Sequence, residues 1–263
     1  MRNTKPLLLS LLMLAGSALA SADTENVTSE EIGDTWARAL AATEGNAHWI
    51  PGETQMTMEF LNRKGETDQL MRILTTVTPT DNGLVLEMTE LERPGGLIGA
   101  LMPSDDLGSD GISGASNEDA SSGFDQLSAN PFLPEVQASL LIEATEESDI
   151  IDGVRSRAFA IGWVATDGTA YDGTIWLSAE TAGPVRLEVT GDSASSDVQA
   201  LSVAVTYQRY GATVLPASTV SSMEIRFALI IRIRIRMTLE FAKYFEIDET
   251  PEYIFQGFPG QEE

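Results

Sequence analysis

Few residues in this 263-residue chain are of types that do covalent chemistry. His48 is the single histidine, and there is no cysteine. A Ser–His–acid triad would have to run through His48, yet no G-x-S-x-G turn presents a serine nucleophile. His48 stands beside Trp49 and reads as a partly buried polar residue at the mouth of a sheet. One imidazole without thiolates does not complete a zinc site, and the lack of cysteine excludes disulfides and thiolate catalysis. Asp105, Asp106 and Asp110-Gly111 invite comparison with a calcium loop. Counted from Asp106, the third position is Gly108 and the twelfth Asn117, so the oxygen ligands are misplaced. Paired carboxylates could hydrolyse a glycoside, but nothing singles out a pair among 40 acidic residues. There is no glycine-rich phosphate loop. The expectation is a protein that is not an enzyme and uses no cofactor or metal.

One constellation stands out. Arg232, Arg234 and Arg236 alternate along one side of a strand pattern, with Arg226 on the strand before. They do so in a chain of formal charge −24, with 16 basic against 40 acidic residues. Such arginines either pair with acids on neighbouring strands or form a basic stripe for an anionic ligand or partner. The net charge itself excludes nucleic acid, whose phosphates would be repelled. It also weighs against electrostatic adhesion to anionic lipid surfaces.

The elements that must carry these residues begin with an amphipathic helix over 28–43. Thr28 and Glu31 fit a capping box, and Ile32, Trp36 and Leu40 form a stripe that has to pack on something. Strand alternation follows. Met56, Met58 and Phe60 share one side, Asn62 to Gly65 reads as a hairpin turn, and Leu70 to Val77 is the next strand. Asp81-Asn82-Gly83 is a turn before Leu84, Leu86 and Met88. Ser104 to Gly123 is rich in Ser, Gly, Asp and Asn and has no basic residue, so it reads as a disordered acidic insertion at about 103–130 within a single domain. Short strands return from Ala144, with Phe159, Ile161 and Trp163 on one side, then Ile175 and Leu177, Val185 to Val189, and Leu201 to Tyr207. From Met223 to Phe241 every odd position is apolar, including Ile233, Ile235 and Met237. A single strand of that length would run about 60 Å, so a hairpin near Phe227–Ile230 is required, with strands at about 218–226 and 231–245.

The first 22 residues carry Arg2 and Lys5, an apolar run from Leu7 to Leu14, and small residues at Ala18-Leu19-Ala20 and Ala20-Ser21-Ala22. This is a cleavable secretory signal pattern, too short for a permanent membrane helix. No cysteine follows it, so the lipoprotein attachment route is closed. The expected product is a periplasmic protein, residues 23–263, with no transmembrane segment.

Ile151-Asp152-Gly153 precedes a strand. Tyr171-Asp172-Gly173-Thr174-Ile175-Trp176-Leu177 then leads to Glu180-Thr181-Ala182-Gly183-Pro184-Val185. Tyr207, Leu215-Pro216 and paired strands ending at Phe241 to Tyr244 follow. Over about 145–246, and more weakly over 28–92, this order resembles LolA-like proteins, periplasmic carriers related to the outer-membrane lipoprotein-sorting chaperone. The resemblance implies an α+β, mostly β fold: an incomplete antiparallel β-barrel, a strongly curved sheet with helices covering its concave face. It also implies an apolar cavity fit for a lipid or a lipoprotein acyl chain. The expected lining is Trp36, Leu40, Met56, Met58, Phe60, Leu86, Met88, Ile161, Trp163, Ile233, Ile235 and Met237, with methionines supplying adaptable surface. Arg226, Arg232, Arg234 and Arg236 are the candidate contacts for an anionic group. The alternative function is an envelope interaction or sensor module with a filled core and a protein partner.

Overall fold

A computed structural model describes residues 28–81, 83–95, 130–165, 168–192, 198–227, 231–247 and 253–256. The signal pattern at 1–22 and the acidic insertion up to 129 lie outside the described residues.

Helix α1 spans Ser29–Thr43, and the Thr28 hydroxyl accepts from the Glu31 N–H at 3.2 Å, the cap that Thr28 and Glu31 predict. A 3-10 turn, Glu44–His48, follows. Strands β1 (Trp49–Ile50), β2 (Glu53–Leu61), β3 (Thr67–Thr80) and β4 (Gly83–Glu92) come next. A one-turn helix, α2 (Pro134–Gln137), precedes an unbroken run of strands: β5 (Leu141–Ile151), β6 (Val154–Val164), β7 (Ala170–Ser178), β8 (Pro184–Asp192), β9 (Val198–Tyr210), β10 (Thr213–Phe227) and β11 (Ile231–Ala242). Two short strands, β12 (Phe245–Glu246) and β13 (Tyr253–Gln256), end the described chain.

Eleven strands form one sheet in the order β13-β4-β3-β2-β11-β10-β9-β8-β7-β6-β5. Its end strands, β13 and β5, do not meet, so the barrel is incomplete. Only β13 runs parallel to its neighbour, β4; the other ten are antiparallel. The pairing of β2 with β11, Met58 opposite Met237, joins the early and late strands into one surface. β1 and β12 make a separate two-stranded ladder.

Period-two alternation fixes which residues share a face. One row across the sheet reads Val189, Val203, Ser221, Met237, Met58, Met71. The next reads Leu187, Val205, Thr219, Leu239, Met56, Ile73. Helix α1 lies on this side, here called the inner face. Arg232, Arg234, Arg236, Thr238 and Glu240 point to the outer face of β11.

Three expectations need correction. The first long terminal strand begins at Thr213 rather than 218, because the chain continues through Pro216 by a register shift between Pro216 and Ser218. A bulge lets a strand accommodate a residue that cannot donate to the ladder. The second ends at Ala242 rather than 245, where Lys243 takes a positive φ of 55°. His48 is exposed at the end of the 3-10 turn, not partly buried in a sheet. Leaving the last helical turn before β1 directs its ring to solvent, and its backbone carbonyl accepts from the Ile247 N–H.

Glycine is required at one interior position of the sheet. A Cβ on Gly173 of β7 would lie 2.0 Å from the Glu188 carbonyl oxygen and 2.6 Å from the Val189 Cα on β8. Substitution therefore forces the two backbones apart along the centre of the packed half. Gly173→Ala is expected to cost about 3 kcal/mol of stability, the upper range for overpacking, read as a lowered urea midpoint. A midpoint equal to that of the wild type would show that β7 and β8 are not this close.

Candidate functional site

The inner face has two halves of different character. Over β6 to β9 it is packed. Phe159, Ile161 and Trp163 of β6, Tyr171, Ile175 and Leu177 of β7, Leu187 and Val189 of β8, and Val203 and Val205 of β9 form one buried cluster with Trp36 and Ala39 of α1 and Val136 of α2. Ile32 and Leu40 pack against it from the helix, as the four-residue stripe requires.

Trp36 is the keystone of this packing. Its ring stacks on Phe132 with centroids 5.2 Å apart, and Phe132 meets Tyr207 of β9 edge-on at 6.3 Å. The indole N–H donates to Gln137 Oε1 of α2 at 3.0 Å. Polar contacts hold the helix at two further points. Glu31 pairs with Arg157 of β6 at 3.2 Å, and Arg38 donates to the Glu180 carbonyl in the β7–β8 turn at 3.0 Å.

Over β2, β3, β4 and β11 the face differs. None of its side chains belongs to the cluster under the helices. Phe60, Met71, Ile73, Leu84, Met237 and Leu239 are buried, while Met56, Met58, Leu86, Met88, Ile233 and Ile235 are half-buried. Met223 of β10, opposite Ile235 and also half-buried, adjoins them. The residues expected to line a cavity are thus all on the inner face but fall into two sets. Trp36, Leu40, Ile161 and Trp163 are in the packed half. Met56, Met58, Phe60, Leu86, Met88, Ile233, Ile235 and Met237 are in the other. Met71, Met223, Ile73 and Leu239 share the second surface; their strand alternation is as regular as that of the residues named from sequence, and only the register reveals that they are neighbours.

The outer face carries the arginines. Glu224 of β10 receives Arg234 at 2.8 Å and Arg232 at 3.4 Å, and Arg236 reaches Glu59 of β2 at 3.5 Å. Arg226 is opposite Arg232 in the ladder, and its side chain lies outside the described residues. These pairs are solvent-screened, and each contributes less than about 1 kcal/mol. Among the described residues, no group of three or more His, Cys, Asp or Glu could hold a metal ion. No described helix is long and apolar enough to cross a membrane.

Solved structures of similar arrangement include an outer membrane lipoprotein-sorting protein domain from Vibrio parahaemolyticus, 13% identical, covering 83% of this chain and 93% of that one with a TM-score of 0.35. A LolA superfamily protein from Nitrosomonas europaea is 10% identical over 83% of this chain and 94% of its own, TM-score 0.33. A DUF1329 family protein from Desulfovibrio piger is 9% identical over the same shares, 83% and 94%, TM-score 0.34. No family model matches the chain, and no curated protein matches it. At these TM-scores nothing is carried across from them to this chain.

Packing leaves a titratable signature. Burial pushes the Tyr207 hydroxyl well above its ordinary value of 10.0. The Tyr244 hydroxyl, which donates to the Pro216 carbonyl at 2.8 Å, is raised as well, by burial and then by Tyr210. A phenol raised on folding binds its proton more tightly in the native state, so its stabilising effect is complete below about pH 10 and declines as pH rises beyond it. Stability measured by urea midpoint is therefore expected to fall above about pH 10, and Tyr207→Phe to flatten the fall. An unchanged slope in the variant would place the Tyr207 hydroxyl in solvent.

Proposed function

We propose that the chain is an exported periplasmic protein, a single domain from about residue 23, that binds a hydrophobic ligand without covalent chemistry. A lipid or the acyl chain of a lipoprotein suits the surface. The observation that carries this reading is the mismatch between helix and sheet. Helix α1 has 15 residues, about 22 Å in length and about 10 Å across. The sheet has eleven strands, about 50 Å from edge to edge. One such helix cannot cover that face, and it sits over the β6–β9 half. Within the methionine-rich half, Met56, Met58, Leu86, Met88, Met223, Ile233 and Ile235 are only half-buried, and the apolar area they still expose is of the kind that gains from a hydrocarbon partner, at about 25 cal/mol per Å² buried. No metal or cofactor enters this reading.

Native mass spectrometry of the protein purified without its signal is expected to detect bound lipid, and a fluorescent hydrocarbon probe to bind after delipidation. Met58→Asp, which sets a carboxylate between Met71 and Met237, is expected to weaken the probe at least about ten-fold, given the cost of burying a charge, with far-ultraviolet circular dichroism unchanged. Clean spectra and no probe binding by the wild type would end the proposal.

A second reading, an envelope interaction or sensor module, is favoured by the filled β6–β9 core and by the Arg232, Arg234 and Arg236 row, whose side chains remain 60%, 45% and 45% exposed despite their pairing. Arg232→Glu with Arg234→Glu is expected to abolish capture of an anionic partner while probe binding persists. Retained capture would exclude the row as the contact.

A further inference from the structure

The inner side of β10 breaks the apolar pattern of its neighbours. Where β9 presents Val205 and Val203, and β11 presents Leu239 and Met237, β10 presents Thr219 and Ser221. Both are buried, Ser221 at 0% exposure. The Ser221 Oγ has no hydrogen-bond partner. A hydroxyl removed from water without replacement is unfavourable, and nearly all buried polar atoms in proteins avoid that state. Alanine would fill the same space without the penalty, so the packing alone does not account for serine.

The location gives the hydroxyl a role. In its row, Ser221 separates Val203, which belongs to the cluster under the helices, from Met237, Met58 and Met71. It stands at the seam between the filled half and the methionine half. We infer that Ser221 determines ligand class: when the flexible Met223 and Met237 side chains beside it shift to admit a ligand, its hydroxyl donates to the carbonyl oxygen of an acyl group whose hydrocarbon chain lies along the methionine rows. The inference rests on the hydrophobic-ligand reading above. Recognition by a neutral hydroxyl favours fatty acids and acyl esters alike over hydrocarbons with no polar atom.

Three probes test it: diphenylhexatriene, which has no polar atom, cis-parinaric acid, and the methyl ester of that acid. Against the wild type, Ser221→Ala is expected to lose about three- to ten-fold in affinity for the acid and the ester, the size of one neutral hydrogen bond, and nothing for diphenylhexatriene. Ser221→Thr, which keeps the hydroxyl, is expected to keep the preference. The ligand-free alanine variant should melt at or above the wild-type temperature, because the hydroxyl it removes has no partner. Loss for the acid alone would identify a free carboxylate as the group read; loss for both identifies an acyl carbonyl in general. Equal loss for all three probes, or no loss for any, would overturn the inference while leaving hydrophobic binding intact. Failure of the wild type to bind all three would overturn hydrophobic binding itself.

Discussion

The seating of one short helix on one wide sheet governs everything else in this molecule. Helix α1 touches both β5 and β10, five strand spacings apart, a distance of about 24 Å that a 15-residue helix only just bridges. It therefore lies across the strands, held by Glu31 at one end and by Trp36 and Arg38 along its length. Strands β5 to β9 beneath it are drawn into one packed core. Beyond it, β11, β2, β3 and β4 present the same apolar alternation outside that cluster. The filled core and the candidate binding surface are thus one feature seen from its two sides.

Local patterns in the sequence specify the strands well because they obey local rules. Asn62 to Gly65 turns as a hairpin, closed by the Asn62 and Gly65 backbone bonds. Asp152 and Gly153, both at positive φ, make the tight turn that joins β5 to β6. Phe227 pairs with Ile231, where the excessive length of the terminal alternation demands a reversal. What sequence does not reveal is pairing between distant segments. The β2–β11 contact joins residues about 180 positions apart, and nothing in either strand names the other. Helix α2 is four residues long, below the length at which periodicity means anything. The β10 start was obscured by Pro216, since a proline inside a strand ordinarily marks its limit and only a bulge rescues it. For the site, alternation identifies which side chains share a face. The extent of helix coverage depends on three-dimensional reach, so Trp36 and Met56 look equally suited to a cavity in the sequence and are in different surroundings in the fold.

Over the late strands and β2, the paired charges keep to the outside. The described ion pairs of β10, β11 and β2 lie on the outer face, where Glu224 and Glu59 gather the arginines. Their contribution to stability is small in water, and without cysteine no disulfide supports the fold. Stability must come from apolar burial, most densely in the cluster under the helices, where a backbone contact as close as Gly173 against Glu188 is maintained.

The two halves also differ in the stiffness of their side chains. The cluster under the helices is built of Trp, Tyr, Phe, Ile, Leu, Val and Ala, and contains no methionine. Six of the nine methionines, Met56, Met58, Met71, Met88, Met223 and Met237, are on the inner side of β2, β3, β4, β10 and β11, and they are all the methionines of the described strands. Branched and aromatic side chains have few rotamers and specify one arrangement; an unbranched thioether has three rotatable bonds and repacks at little cost. A surface meant only to be buried by the protein itself gains nothing from that freedom, because a unique core favours stiff side chains. A surface that meets hydrocarbon chains of variable length and bend gains directly, since each ligand can be accommodated without strain in the sheet. The segregation of methionine from the helix-covered core is therefore what a rigid scaffold joined to an adaptable apolar site requires.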